Sequence, residues 1–579
     1  MIKKLLPAVR GYEKQTVGAS LMIIVEGVLE ILIPYLMTKL IKQGIEVPDP
    51  NLSVILTYGG LMILMAIFAL LAGALCARLA AVAGTGFACN LRNMLFRKVQ
   101  DFSFANVDKF SSASIVTRLT TDVTNIQNLF TILIRMTVRN FIIMITAFFF
   151  AVAVNARLAI VFAVAIPLLA AILFFIMIKA HPMFEKMLTK LDLMNARVQE
   201  NLIAIRVVKA FVKGDDENVS FEDSAVALRK AQMAAERIVI WNNPLSQLIF
   251  YGAIIAVCFF GGKLIVAGEM GIGDLTGFLA YIGQILSSVM MLSMVFISFI
   301  ITRASQKRIS ELLDEEIDIN DDDADPDLAV ENGAVEFRNV DFSYSKNPDN
   351  LTLTNVNFSV RPGETIGIIG GTGSAKTTLV QLIPRLYEVL GGSVLVGGHD
   401  VREYKLHALR DKVAMVLQTN LLFSGTIEEN LRWGNENATE EQIEKACRAA
   451  CAHDFIMSFP DGYKTDLGQG GVNVSGGQKQ RLCIARALLK DPKVVILDDS
   501  TSACDTATDA AIRKALRTEL SGTTTFIIAQ RIASVMDADR VMVLDDGKLV
   551  AFDTPARLLE TNEIYREVYM SQMKGGEEA

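Results

Sequence analysis

"TIGIIGGTGSAKTT" at residues 365–378 places an apolar, β-branched run directly before a glycine-rich turn. The apolar, helix-forming pattern "KTTLVQLIPRLY" then starts at Lys376. Strand, tight turn and helix N-terminus in that order make a cradle for phosphate, because unpaired backbone N–H groups and the positive end of the helix dipole point into the turn. Gly371, Thr372, Gly373, Ser374, Ala375, Lys376, Thr377 and Thr378 are the candidate cradle residues. Lys376 is placed to reach the outer phosphates, and the Thr377 hydroxyl to ligate Mg²⁺. The pattern G-x-x-x-x-G-K-[ST] has Ala375 where its last glycine belongs. A methyl group is tolerable there if φ stays negative.

Outward from this motif, from about residue 335, short β-branched strands alternate with helical patterns ("VEFRNVDFSY", "KVAMVLQ", "KVVILDD", "TTTFIIAQ", "RVMVLDDGKLV"). That alternation predicts an α/β sheet. "VVILDDSTSACD" at 494–505 ends an apolar strand in Asp498, where a second magnesium-directing carboxylate belongs, followed at once by Asp499. "VNVSGGQKQRLCIARALL" at 472–489 opens a long helix with Ser475, Gly476, Gly477 and Gln478. Such an end either binds an anion or is an ordinary N-cap.

The first half of the chain is of another kind. Six apolar stretches, near 16–41, 54–81, 130–153, 157–179, 247–266 and 275–302, approach or exceed the ~20 residues that cross a bilayer as a helix. The long segments after the second and fourth stretches are rich in Lys and Arg and keep a helical period, so the helices extend beyond the bilayer. The remaining connections are short and poor in basic residues, which places both termini and both long segments on the cytoplasmic side. "MIKKLLPAVRGYEKQ" reads as an interfacial helix, not a cleaved signal peptide. The expected layout is a membrane all-α domain over 1–312, an acidic linker over 313–334 and an α/β nucleotide-binding domain over 335–579.

The hydrophobic fraction, 51% of 579 residues, exceeds that of ordinary soluble domains. Nine acids and no base occupy "DEEIDINDDDADPD" at 314–327, so the rest of a chain of net charge −7 sums to about +2. That leaves no global basic field for nucleic acid. Seven cysteines form no CxxC pair and read as reduced core residues. Glu26 and Glu30 share one helical face in the first span, either bordering a cavity or bonding a neighbouring helix. Arg135 and Arg139 are expected to snorkel or to serve structure.

Together these motifs resemble the ATP-binding cassette family, and specifically an exporter half-transporter over nearly the whole chain. The resemblance implies ATP and Mg²⁺ as ligands. "VSGGQ" is similar to the signature motif that presses on ATP held by the opposite subunit. Tyr344 in "VDFSY" resembles the adenine platform, Gln418 in "AMVLQTN" the glutamine that senses Mg²⁺, and Asp505 in "SACD" the aspartate that communicates across the dimer. Segments around 103–113 and 203–213 would be coupling helices. Three positions depart from the family pattern: Asp499 replaces a water-orienting glutamate, Gln530 in "IIAQR" replaces the switch histidine, and Gln469 replaces a glutamate. Asp499 is one methylene short, and misplacement by about 1 Å can cost ~10²-fold; Gln530 cannot carry a proton.

Because those losses fall on one composite site while the signature is intact, the resemblance implies an exporter subunit in a heterodimer, with Asp499, Gln530, Ser475, Gln418 and Asp505 as the catalytic set. A slow homodimer and an ATP-gated channel or regulatory subunit are the alternatives. The lipid bilayer of the cell (plasma) membrane is the expected setting, with the nucleotide-binding domain cytoplasmic, and small molecules, peptides and lipids all stay open as substrates.

Overall fold

The computed structural model describes residues 2–322, 324–500, 504–519 and 522–577. Asp323 of the acidic stretch, residues 501–503 ahead of Asp505 and the terminal pair 578–579 lie outside the described residues. The chain forms two compact units, Met1–Gln100 with Ser112–Glu315, and Asp101–Ser111 with Glu316–Ala579.

Six helices of the first unit are long and apolar enough to cross a membrane: α1 (Glu13–Ile45), α2 (Leu52–Gln100), α4 (Ser112–Val154), α5 (Ala156–Ile203), α6 (Gly214–Val266) and α7 (Ile272–Asp314). A short helix, α3 (Phe104–Phe110), falls between the second and third and belongs to the second unit. Lengths of 33–53 residues correspond to roughly 50–80 Å of helix, against ~30 Å of hydrocarbon. The spans thus continue past the bilayer, as their sequence period predicts. Asn155 separates α4 from α5 and caps α5, accepting from the Leu158 N–H at 3.1 Å. The core between these spans is aliphatic and aromatic, with Phe162 stacked on Phe278 at 5.7 Å.

Several charged groups within this unit are tied to one another. Arg139 donates to Glu30 at 2.6 Å and lies 3.6 Å from Glu26, so these two acids of α1 hold α4 in an interhelical bond. That is the structural alternative of the two raised for Glu26 and Glu30. Further along, a π-turn over Arg118–Asp122 interrupts α4 and presents the buried Asp122 to the guanidinium of Arg308 on α7. All seven cysteines are free; Cys76, Cys447, Cys483 and Cys504 are buried, but Cys89 and Cys258 are exposed, so not every cysteine is a core residue as the sequence suggests.

The second unit contains two sheets. Strands β1 (Val335–Phe342), β2 (Leu353–Val360), β4 (Gly391–Val396) and β5 (His399–Asp400) form an antiparallel sheet in the order β2-β1-β4-β5. Strands β3 (Thr365–Gly370), β6 (Val413–Val416), β7 (Val494–Asp498), β8 (Thr524–Ile528), β9 (Arg540–Asp545) and β10 (Lys548–Asp553) form the other, in the order β10-β9-β3-β8-β7-β6. All of its pairings except β9 with β10 are parallel. Every residue of β7 and β8 is buried, as expected for parallel strands covered on both faces.

The acidic stretch is not free of this unit. Ile319 and Val330 are buried, Asp325 N–H donates to the Glu403 carbonyl, and Asp321 accepts from the Leu406 N–H. Its apolar residues, its backbone groups and two of its carboxylates, Asp321 and the Lys346-paired Asp318, anchor it.

Candidate functional site

In the parallel sheet, β3, β8, β7 and β6 are successive neighbours, and their C-terminal ends all open on one edge. The glycine-rich turn follows β3, Gln530 lies two residues past β8, Asp498 ends β7, and Gln418 lies two residues past β6. Four sequence-distant motifs are therefore gathered by strand order alone, at the edge where open α/β sheets bind ligands.

The turn leads into a short helix, α8 (Lys376–Gln381). At its start Gly370 has φ 155°, and a Cβ there would come within 2.2 Å of the Leu544 carbonyl, so only glycine fits beside β9. Gly373 (φ 86°) and Ala375 (φ 68°) are both left-handed. The negative φ that would accommodate a methyl group at Ala375 is not adopted: the turn keeps the backbone path of a glycine and imposes it on a residue with a methyl group. Lys376 lies back over the turn, donating to the Gly370 and Gly371 carbonyls at 3.0 and 2.7 Å and to Ser374 at 3.4 Å. Burial lowers its pKa, against the pull of Asp498 and Asp499.

The Thr377 hydroxyl donates to Asp498 at 3.0 Å. Asp498 is 2% exposed, and burial raises its pKa, with the Asp499 charge adding to the shift. A buried carboxylate beside a hydroxyl is a hard-oxygen donor set that suits Mg²⁺, with Thr377 and Asp498 as its holders. When bound, the ion would supply Lewis-acid stabilisation of charge on phosphate oxygens.

Asp499 sits in the left-handed region (φ 47°), which aspartate tolerates better than most residues. Its carboxylate accepts from the Gln530 amide at 2.8 Å and also bonds the Gln418 side chain. Burial raises its pKa, and these two hydrogen bonds oppose the rise. Three residues of the predicted site thus meet at one carboxylate. The structure also supplies a support that sequence reading missed. Gln572, on the C-terminal helix α10 (Glu563–Glu577), donates to the Gln530 carbonyl at 2.9 Å and accepts from the Ile532 N–H at 2.7 Å. No motif marks a lone glutamine 42 residues beyond the loop it grips.

Tyr344 lies just past β1, 48% exposed, with its hydroxyl 2.9 Å from that of Thr378. Its ring is braced edge-on by Tyr387 at 5.2 Å, leaving surface for a planar group. Tyr387 in turn donates to Asp108 of α3 at 2.7 Å and meets Phe104 edge-on. Two hydrogen bonds and two aromatic contacts therefore run from the turn to the segment expected to couple.

Ser475 caps the helix α9 (Gly476–Leu488), accepting from the Gln478 N–H at 3.3 Å while Gln478 bonds the Ser475 N–H in return. This is the ordinary N-cap, and it leaves Ser475 and Gly476 exposed at a helix N-terminus of 13 residues. Asp505 is exposed and accepts from the N–H and hydroxyl of Thr508, which lowers its pKa. Gln469 is exposed in a loop whose Gly468, Gly470 and Gly471 all have positive φ. Among the described residues, the side-chain bonds of Ser475 and Asp505 are to Gln478 and Thr508.

The family models described as "ABC transporter transmembrane region" and "ABC transporter" match residues 18–290 and 353–502. The ABC transporter ATP-binding protein YfiB of Bacillus subtilis is 36% identical over 571 residues, covering 99% of this chain and 98% of that one. An ATP-dependent lipid A-core flippase of Syntrophus aciditrophicus is 31% identical over 491 residues, covering 85% of this chain and 81% of that one. The solved structure of a bacterial Atm1-family ABC exporter with ATP bound superposes with a TM-score of 0.84 at 24% identity, over 97% of this chain and 98% of that one. With its membrane half, its nucleotide half and its full-length relatives accounted for, the chain belongs to the ABC transporter family and has the exporter fold.

Proposed function

We propose that this chain is one half of a heterodimeric ATP-driven exporter. It binds Mg-ATP at its own weakly hydrolytic site, through the turn from Gly371 to Thr378, Tyr344 and Asp498. To the partner's hydrolytic site it lends Ser475, Gly476, Gly477 and Gln478. Asp499 is the observation that carries this reading: the shorter acid is held by the Gln530 and Gln418 amides, and neither amide can take up a proton. A second subunit is further supported by the turn near 203–213, where Phe211 and Val212 are 72% and 88% exposed and Val212, a β-branched residue, has φ 53°. The basic segments favour both termini and the nucleotide-binding half on the cytoplasmic side of the cell membrane.

Asp499→Asn and Ser475→Ala, each built in this chain alone, test the reading through steady-state ATPase of the purified assembly. Asp499→Asn is expected to lower turnover only slightly. Ser475→Ala is expected to lower it by about 10²–10³-fold, the cost of one lost transition-state donor at about 2.7–4 kcal/mol. A second reading, a slow homodimer using Asp499 as its base, is favoured by the burial that raises the basicity of this carboxylate. It requires the reverse outcome, with Asp499→Asn abolishing turnover, and a purified assembly holding only this chain.

A further inference from the structure

We propose that the membrane unit holds a site for an anionic lipid, built by α5, α6 and α7 where these spans leave the apolar part of their sequence. The inference deepens the exporter reading by naming a class of cargo, and its role as cargo rests on that reading. A cavity of about 680 Å³ lies between the three helices, within the ~300–1,000 Å³ typical of ligand sites.

Its lining changes character along its length. One end is walled by Leu173, Ile176 and Met177 of α5 and Ile297 and Ile300 of α7. The other presents His181 and Glu185 of α5 with Arg303 and Lys307 of α7, set among the apolar side chains of Phe184, Met187 and Leu188. On both helices the change falls where the apolar run ends, near residues 179 and 302, so the charged end sits at the interface and the apolar end within the bilayer. A second cavity of about 300 Å³ shares Leu173, Met177 and Ser293 with the first and adds Met144, Leu292 and Phe296, prolonging the apolar end.

The lining at the interfacial end carries two basic groups, Arg303 and Lys307, and one carboxylate, Glu185. Arg303 makes no ion pair or hydrogen bond among the described residues; Lys307 has Glu311 at 4.0 Å, and Glu185 faces His181 at 4.0 Å. A guanidinium free to fork onto phosphate oxygens suits a phosphate headgroup. A soluble anion would leave the apolar length unused, and a neutral apolar compound would leave Arg303 unused. A lipid lying with its acyl chains toward the bilayer centre and its anionic head at the interface uses both ends, in the orientation it already has in a leaflet.

The test is photo-crosslinking of the full-length protein, purified with whatever subunit accompanies it, in phosphatidylcholine nanodiscs carrying a photoactivatable phosphatidylglycerol and no ATP. Labelled peptides from α5 and α7 are expected, displaced by unlabelled phosphatidylglycerol but not by phosphatidylcholine or glycerol 3-phosphate. Arg303→Gln with Lys307→Gln should lower this labelling on the order of tenfold or more, each basic group contributing to attraction of an anionic head at the interface. Ile297→Trp should lower it by filling the apolar end, and Arg303→Lys with Lys307→Arg, which keeps the charge, should retain most of it and report that the fold survives. Equal labelling in the neutralised variant, equal displacement by phosphatidylcholine, or label spread over the lipid-facing surface overturns the site. If labelling behaves as expected but ATP drives no flux of the lipid between leaflets, the role as cargo is overturned while the binding site stands.

Discussion

Ala375 pays a conformational penalty that the rest of its turn avoids. At φ 68° its methyl group crowds the following carbonyl, a cost of roughly 1–2 kcal/mol for a residue other than glycine. Glycine would remove the crowding but add about 0.4–1 kcal/mol of unfolded-chain entropy. Ala375→Gly is therefore expected to stabilise the nucleotide-binding half by about 0.5–1 kcal/mol, read as a higher denaturation midpoint with an unchanged slope, and to leave ATP affinity the same or tighter. A lower midpoint would mean that the methyl group packs favourably. The motif was legible in the sequence because residue types and spacing define it; the sign of φ at Ala375 was not, because it depends on how β3 delivers the chain into α8. Likewise Asp499 and Gln530 were identifiable as departures, but their direct bond and the grip of Gln572 arise only once β7, β8 and the C-terminal helix are adjacent.

At the scale of elements, strand order does most to build the site. Alternating strand and helix patterns predicted the sheet, yet no local pattern specifies that β8 lies between β3 and β7; that order is set by how the buried faces pack. The six spans were legible because an apolar run of sufficient length is a local property, whereas the packing of α3 with the nucleotide-binding unit depends on residues some 280 positions apart. Tyr387→Phe isolates that contact, since the ring still meets Phe104 and Tyr344 while the bond to Asp108 is lost. Hydrogen bonds to charged groups contribute about 1.5–3 kcal/mol, and this one is only part-buried, so the lower end applies. Amides of Phe104–Phe110 are expected to exchange with solvent roughly tenfold faster in the variant, measured by hydrogen exchange, with ATP affinity unchanged. Unaltered exchange would mean that the remaining contacts, the aromatic ones and the Asn106 bond to the Glu316 carbonyl, hold α3 without it.

At the scale of the whole molecule, the proposed heterodimer predicts that this chain, with its intact signature and altered acid, contributes unequally to two composite sites. Restoring the family's residues at one of them tests that inequality from the side of gain. Asp499→Glu alone is not expected to suffice, because the added methylene pushes the carboxylate toward the Gln530 amide, already 2.8 Å away. The longer acid and the switch residue must change together, so Asp499→Glu with Gln530→His is the variant that opens room for the carboxylate and restores a group able to hold a proton. Its assembled ATPase is expected to exceed both wild type and either single change, and the excess should disappear when Lys376→Ala is added to the same chain. The gain should also survive inactivation of the partner's own catalytic acid, which marks the new turnover as belonging to this site. If the double variant instead falls below wild type and the partner's acid has no effect, Asp499 and Gln530 work as a tuned pair at a competent site, and the asymmetry lies elsewhere in the assembly.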